Sequence, residues 1–317
     1  MEGNSMRDFP LIKIDGKPLE KLLDVVSKAI GKIYEPRAIR NVADAKAYEI
    51  TTLEKAKIDV TIYRQEIEQD TLDRIEERII HRELRKQRNM DNVVKNAIKQ
   101  LKDVSYVSDS PVDEDWVVRF FNIVEDVSDE QMQLLWGKIL AGEVKSPNSF
   151  SIHTLELMKN LEKAEAELFT KAANYIIFEN GINGRPFIFR GNNSELLNKN
   201  GFMFDERLKL IDLGLIQPGE IYFYFDPNPE DMNVFFVSGK YIINSFIKVN
   251  SPQYAIPVLG LTQIGTELIK LLTMVSVDGY IKDFYIYLQE KGIDVKYAYI
   301  KNVSENRIEH TEPWMRF

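Results

Sequence analysis

PVDEDWVVRFFNIVEDVSDEQMQLLWGKILAGEVKSPNSFSIHTLELMKNL, residues Pro111–Leu161, is the most strongly specified stretch of this 317-residue chain. Asp113 or Asp115 can cap a helix whose inner face is Trp116, Val117, Phe120, Phe121 and Val124. A second helix opens at Ser128-Asp-Glu-Gln131, the pattern of a capping box, with Val127 and Met132 placed as a hydrophobic staple. Its apolar face is Met132, Leu135, Trp136, Ile139 and Leu140, and Gly142 reads as its stop. Pro147-Asn148 marks a turn. Ser151 then caps a third helix carrying Leu155, Leu157, Met158 and Leu161. The expected core of this unit is Trp116, Phe120, Trp136 and Ile139.

Upstream, residues 1–17 read as a flexible lead. Leu19, Leu22, Leu23, Val26, Ile30 and Ile33 recur at helical spacing and give one apolar face. Lysines 17, 21, 28 and 32 sit among the polar positions. Such a helix packs on its own protein or a second subunit, or it lies on an anionic membrane surface. Glu35-Pro36 breaks the pattern. An alanine-rich helix is expected over Pro36–Arg64, and a charged one over Gln65–Leu101. Residues 18–102 thus read as a long helical arm whose thin apolar faces call for a partner, with self-association as the simplest answer.

Downstream, helix is expected to continue from Ala164 to Phe178, after which the composition changes. Pro186–Arg190, Ile221–Phe225, Asn233–Val237, Tyr241–Val249 and Val295–Ile300 are aromatic and β-branched, and read as strands. Short helices are expected at Asp205–Leu213 and Leu261–Leu272, and a last one at Asp278–Lys291. The fold class is therefore α+β. A helical core unit spans 111–180, a domain with a small antiparallel sheet spans 181–301, and a polar tail runs over 302–317.

Charge and composition narrow the function. The net charge is −8, which argues against a surface that grips nucleic acid all over and leaves room only for a local basic patch. The chain has no cysteine, so thiolate chemistry, disulfides and cysteine-ligated zinc are excluded. The N-terminal segment lacks the apolar region of a secretory signal, and the longest uncharged run, Val249–Thr266, holds two prolines and two glycines. A cytoplasmic protein, at most membrane-associated, with no transmembrane segment is expected.

The basic cluster Arg78, Arg82, Arg85, Lys86 and Arg88 is either a nucleic-acid contact or a solvated, salt-bridged face. Arg74 precedes His81 by seven positions. That spacing faintly resembles the arginine–histidine pair of helical ribonucleases of the HEPN class, in which the two would position and protonate a phosphate. No phosphate loop, nucleophile elbow or metal-binding His-Glu-x-x-His occurs, and neither cofactor nor metal is expected.

Two resemblances follow from particular residues. Val127-Ser-Asp-Glu130, Gln133, Trp136, Ile139-Leu-Ala-Gly-Glu143, Pro147, Ser151, Thr154-Leu155 and Leu161 resemble an uncharacterised bacterial domain-of-unknown-function family akin to the abortive-infection alpha group. Ala29-Ile-Gly31, Tyr34-Glu-Pro36, Ala43, Ala45, Ala47, Arg85, Gln87 and Asn89 extend it upstream. The resemblance implies a bacterial or phage-borne protein linked to defence against phage, and supplies no catalytic residues. Residues 162–275 resemble a winged helix, through Leu208–Ile216, a β wing and Leu261–Leu268. That module implies a DNA-binding third helix. Here Arg207 and Lys209 face Asp205, Glu206 and Asp212, so a protein contact or a structural role fits its charge better. The reading that results is a non-enzymatic interaction or assembly protein of anti-phage defence. A membrane-disrupting effector acting through residues 19–33 and a nucleic-acid binder or helical ribonuclease are the alternatives.

Overall fold

The structure is a computed structural model, and it describes residues 16–30, 69–102, 104–192, 195–225, 233–246, 254–304 and 307–317. The chain parts into two compact units, Met1–Leu155 and Glu156–Phe317. The helix expected over Pro36–Arg64 lies outside the described residues, as does Ile33.

The first unit is helical. It contains α1 (Lys17–Ile30), α2 (Gln69–Leu101), α3 (Glu114–Val124) and α4 (Glu130–Lys145), and α5 (Ile152–Asn160) begins at its edge. The second half of α2 is core. Asn89, Val93, Val94, Ala97, Ile98 and Leu101 are buried, and the helix packs chiefly on α4. Trp116, Phe120, Trp136 and Ile139 are buried as expected. The Phe120 ring centre lies 5.1 Å from that of Trp116 and 5.5 Å from that of Trp136. The Trp116 indole N–H donates to the Phe150 carbonyl at 2.7 Å, whereas that of Trp136 is buried without an acceptor.

Three local expectations in this unit are corrected. Asp129, not Ser128, caps α4, its carboxylate accepting from the Met132 N–H at 2.9 Å. The Ser128 hydroxyl instead accepts from the Asn89 amide at 3.2 Å, so a residue some forty positions upstream has claimed it. Gly142 does not stop the helix, which runs on to Lys145. Its lack of a side chain admits Phe150, whose ring carbon would lie 2.7 Å from a Cβ placed there. Glu143, which its residue type alone would leave in solvent, is buried, and its carboxylate accepts from the backbone N–H groups of Asn148 and Phe150 at 2.5 and 3.0 Å. It fixes the turn that brings Phe150 under Gly142.

Asn89 and Gln133 form a buried polar clasp over the α3–α4 connection. The Asn89 amide donates to the Glu125 carbonyl at 2.9 Å, and the Gln133 amide to the Asn89 side-chain oxygen and the Val127 carbonyl. Asn89→Ala strands a buried donor and a buried carbonyl at once, which costs about 2–3 kcal/mol. A lower urea midpoint at unchanged slope is the expected reading.

The second unit is α+β. Its helices are α6 (Lys163–Ala173), α7 (Glu195–Lys199), α8 (Phe204–Asp212), α9 (Gln263–Leu268) with a short 3-10 turn, and α10 (Asp278–Glu290). Its strands are β1 (Ile176–Glu179), β2 (Pro186–Phe189), β3 (Ile221–Phe225), β4 (Asn233–Ser238), β5 (Tyr241–Phe246), β6 (Tyr254–Gly260), β7 (Asp294–Ser304) and β8 (Arg307–His310). They form one eight-stranded antiparallel sheet in the order β3-β6-β2-β1-β4-β5-β7-β8. It is larger than the small sheet the sequence suggested.

Three strands account for the difference. The helix expected to reach Phe178 stops at Ala173, and the buried run Ile176–Phe178 goes into β1. A short apolar run of this kind carries no period that separates strand from helix. Pro257 masked β6, since proline cannot donate to a ladder. Its carbonyl nevertheless accepts from the Arg190 N–H at 3.1 Å. The polar segment Arg307–His310 is held as β8 by pairing with β7 rather than by burial.

The core of this unit is aromatic. Phe284 of α10 lies 5.0 Å from Phe189 and 5.2 Å from Phe236 between ring centres, and the buried Tyr280 hydroxyl accepts from the Phe189 N–H at 2.6 Å.

Glu206 fastens the start of α8. Its carboxylate takes the Lys171 ammonium at 2.6 and 2.8 Å and the Met203 N–H at 2.8 Å. Burial works to raise its pKa, but Lys171 and the Met203 N–H outweigh that and hold it below the ordinary value of 4.5. The carboxylate therefore adds stability above that ordinary value, and the contribution is lost as pH falls through the lowered one. Glu206→Gln should cost about 1 kcal/mol at pH 7. Thermal melts of variant and parent should converge in strong acid.

Candidate nucleic-acid interface

One turn of α-helix advances 3.6 residues, so positions 78, 81, 82, 85 and 88 fall on one stripe of α2. All five side chains, Arg78, His81, Arg82, Arg85 and Arg88, are exposed. With the half-buried Leu84 they line a surface concavity of about 590 Å³. The stripe extends over roughly 15 Å of helix axis.

The sixth cation behaves differently. Lys86 is turned away from the stripe, with its ammonium 2.6 Å from the Glu125 carboxylate. That hydrogen bond raises its pKa against the opposing effect of burial. Of the stripe itself, Arg82 meets Glu83 at 3.0 Å and Arg85 meets Asp126 at 3.6 Å. These carboxylates are themselves at least a third exposed, and ion pairs of that kind are weak. Arg78 and Arg88 have no ion pair with a described residue.

The arrangement suits anions. Guanidinium groups present planar forks of N–H donors that match phosphate oxygens two at a time. His81 stands among them, its imidazole a further hydrogen-bonding group on the stripe. Arg74 lies on the same face, two turns before His81, and donates to the Thr71 hydroxyl at 3.2 Å. About 10 Å of helix rise separates Arg74 from His81.

The remaining sequence candidates are placed elsewhere. Leu19, Leu22, Leu23 and Val26 of α1 are buried against α2, α3 and α4. The side chain of Ile30 is not among those described. Three of the lysines beside this face are engaged: Lys17 with Asp109, Lys21 with the Ser108 carbonyl at 2.8 Å, and Lys28 with Asp24 at 2.8 Å. Of the readings of this face, packing on its own protein is the one that the described part shows. Among the described residues no helix is long and apolar enough to cross a membrane.

Within the second unit, the helix that the winged-helix resemblance would place in a DNA groove loses its arginine. Arg207 is buried and donates to the Asn198 side chain at 2.9 Å and to the Phe202 carbonyl. Burial lowers its pKa. Lys209 is left as the exposed cation of α8, beside exposed Asp205 and Asp212. His153 is exposed on α5, and the His310 ring lies tilted against Trp314 with ring centres 4.6 Å apart. Among the described residues no cluster of three His, Asp or Glu side chains is placed to hold a metal ion.

A family model described as a protein of unknown function, DUF2806, matches residues 73–285. The chain belongs to the DUF2806 family. No curated protein and no solved structure matches it. The span that defines this DUF2806 chain starts inside α2 just before the arginine stripe and ends in α10, so both the stripe and most of the sheet fall within it.

Proposed function

We propose that this chain acts by binding rather than by catalysis, and that the arginine stripe of α2 is a sequence-independent contact for nucleic-acid phosphates. The observation that carries the reading is the stripe itself. Four guanidinium groups and one imidazole share an exposed helix face, and two of the guanidinium groups are not tied to any described carboxylate. Lone arginines with a chain charge of −8 make a local foothold, not an enveloping surface. Gln87, a residue type that reads base edges, is engaged with Asp91 at 2.8 Å, which favours phosphate positioning over base reading. The resemblance of Pro111–Leu161 to the abortive-infection alpha group supports placing the contact in bacterial defence against phage.

The test is a fluorescence-anisotropy titration of labelled single- and double-stranded 20-mers at about 50 mM salt, where non-specific phosphate binding is strongest. Micromolar binding that fades with salt is expected. Absence of binding at low salt would overturn the reading.

A second reading, assembly, has its own observation. Met203, Phe204 and Leu208 of α8 are 49%, 54% and 42% exposed, a cluster of the kind that marks protein contacts. The order β2-α7-α8-β3-β6, with β6 paired between β2 and β3, supports a winged-helix-like arrangement in which α8 is the presented helix. The partner tested first is a second copy of the chain. Solution mass of the parent and of Phe204→Glu decides it, because a monomer in both cases removes this reading.

A further inference from the structure

We propose that the outer end of the sheet, around β3, holds a slot for a nucleobase, formed by Tyr222, Tyr224, Arg190 and Glu220. The inference goes beyond the phosphate contact on α2 and does not depend on it. Strand β3 reads Ile-Tyr-Phe-Tyr-Phe and lies at one end of the sheet, where among the described strands it pairs with β6 alone. Alternation places Tyr222 and Tyr224 on one face of the strand, and Phe223 on the other. Phe223 is used by the fold, with its ring 5.6 Å from Phe187 and the Arg185 guanidinium 3.9 Å above it. The two tyrosines are 47% and 55% exposed, and among the described residues neither has a ring–ring contact of the kind Phe223 makes.

Side chains two apart on a strand are spaced about 6.8 Å, twice the 3.4 Å rise per residue. Stacked bases in a nucleic-acid strand are about 3.4 Å apart. Two tyrosines at this spacing therefore leave the thickness of one planar ring between them.

Polar groups stand beside the pair. Arg190 is 5% exposed, its guanidinium lies 5.8 Å from the Tyr222 ring centre, and its Nε–H is buried without an acceptor. One of its terminal nitrogens is 3.1 Å from the Glu220 carboxylate, whose own side chain is 73% exposed. The Arg190–Glu220 pair is electrically neutral overall. It thus offers a donor and an acceptor side by side without an excess charge, which suits the edge of an uncharged heteroaromatic base and not a phosphate. Stacking faces with such an edge are how single-stranded nucleic acids are held without duplex geometry.

The test compares a labelled oligothymidylate 10-mer with an abasic 10-mer of the same phosphate count, using the full chain. The base-bearing strand should bind at least tenfold more tightly. Tyr222→Ala and Tyr224→Ala should each remove roughly tenfold of its affinity and leave the abasic strand unchanged. Tyr222→Phe and Tyr224→Phe keep the ring, and should bind within about twofold of the parent. Charge reversal on α2 would remove the abasic strand's binding and leave the base-dependent part of the oligothymidylate's, so failure of the phosphate contact is distinguishable from failure of the slot. Competition by thymidine monophosphate indicates a site open to free nucleotides. Resistance to it indicates a base presented on a chain, and either result supports the slot. Equal binding of base-bearing and abasic strands, or alanine variants that bind like the parent, would overturn it.

Discussion

Replacing Arg78, Arg82, Arg85 and Arg88 together by glutamate should abolish nucleic-acid binding by the first unit while leaving its fold intact. The fold is spared because all four side chains are exposed and the two ion pairs lost are of the weak, solvated kind. Binding is lost because the change is not merely removal of four attractive charges but their inversion. The parent's salt dependence gives the same count independently. Four neutralised phosphates predict a slope of about −3.6 in log affinity against log salt on duplex DNA, and about −2.8 on a single strand. On duplex, affinity should fall by roughly 150-fold between 50 and 200 mM salt. Changing one arginine to alanine should weaken all sequences alike and reduce the slope by about one. A parent slope near zero, or a reversed variant that binds as well as the parent, would show that the stripe is a solvated face and nothing more.

The second large effect lies in the crossing of α2 and α4. Gly137 is where the two helices come closest, because a Cβ placed there would sit 2.5 Å from the Asn96 Cβ and 3.1 Å from the Ala97 backbone nitrogen. The obstacle is partly backbone, which cannot swing aside as the end of a long side chain can. Gly137→Leu should therefore force the helices apart and cost about 3 kcal/mol or more, beyond anything gained in helix propensity. Against a typical total of about 5–15 kcal/mol this is enough to unfold a marginal domain. The control is Leu134→Ala, one turn away on the exposed side of α4, which should shift the urea midpoint little. A Gly137→Leu protein with parental stability would mean that the approach is looser than the structure has it.

Much of the helical unit was legible in residues. Trp116, Phe120, Trp136 and Ile139 fell where their spacing put them, and α2 ended at Leu101 as read. What was lost was everything decided by distant partners. Ser128 and Gln131 satisfy the local rule for a capping box, yet Asn89 takes the hydroxyl and Asp129 takes the cap. Glu143 looks like a surface acid until the loop it holds is folded over it. In the sheet, β1 and β6 were obscured by a period too short to read and by Pro257.

The candidate site divides in the same way. The arginine cluster was visible because one helix carries all of it, whereas Lys86 could be separated from the stripe only once Glu125 of α3 was placed beside it. Arg190 follows β2 whereas Glu220 and Tyr222 lie at the start of β3, and no spacing rule joins the two segments. Arg207 had the right residue type for a groove-reading helix, and burial removed it.

The Asn89 clasp has a consequence for how the chain can be divided. The stretch from Pro111 to Leu161 looks like a module that could be cut out and studied alone. Excision at Pro111 would take away Asn89, and with it Val93, Val94 and Ala97, the wall against which α4 is laid. Ser128 would then be free to reclaim its cap, Gln133 would keep Val127 but lose Asn89 and Asn92, and the severed α4 would present an open apolar flank to water. The part of the chain that is easiest to recognise is thus not a part that can stand by itself.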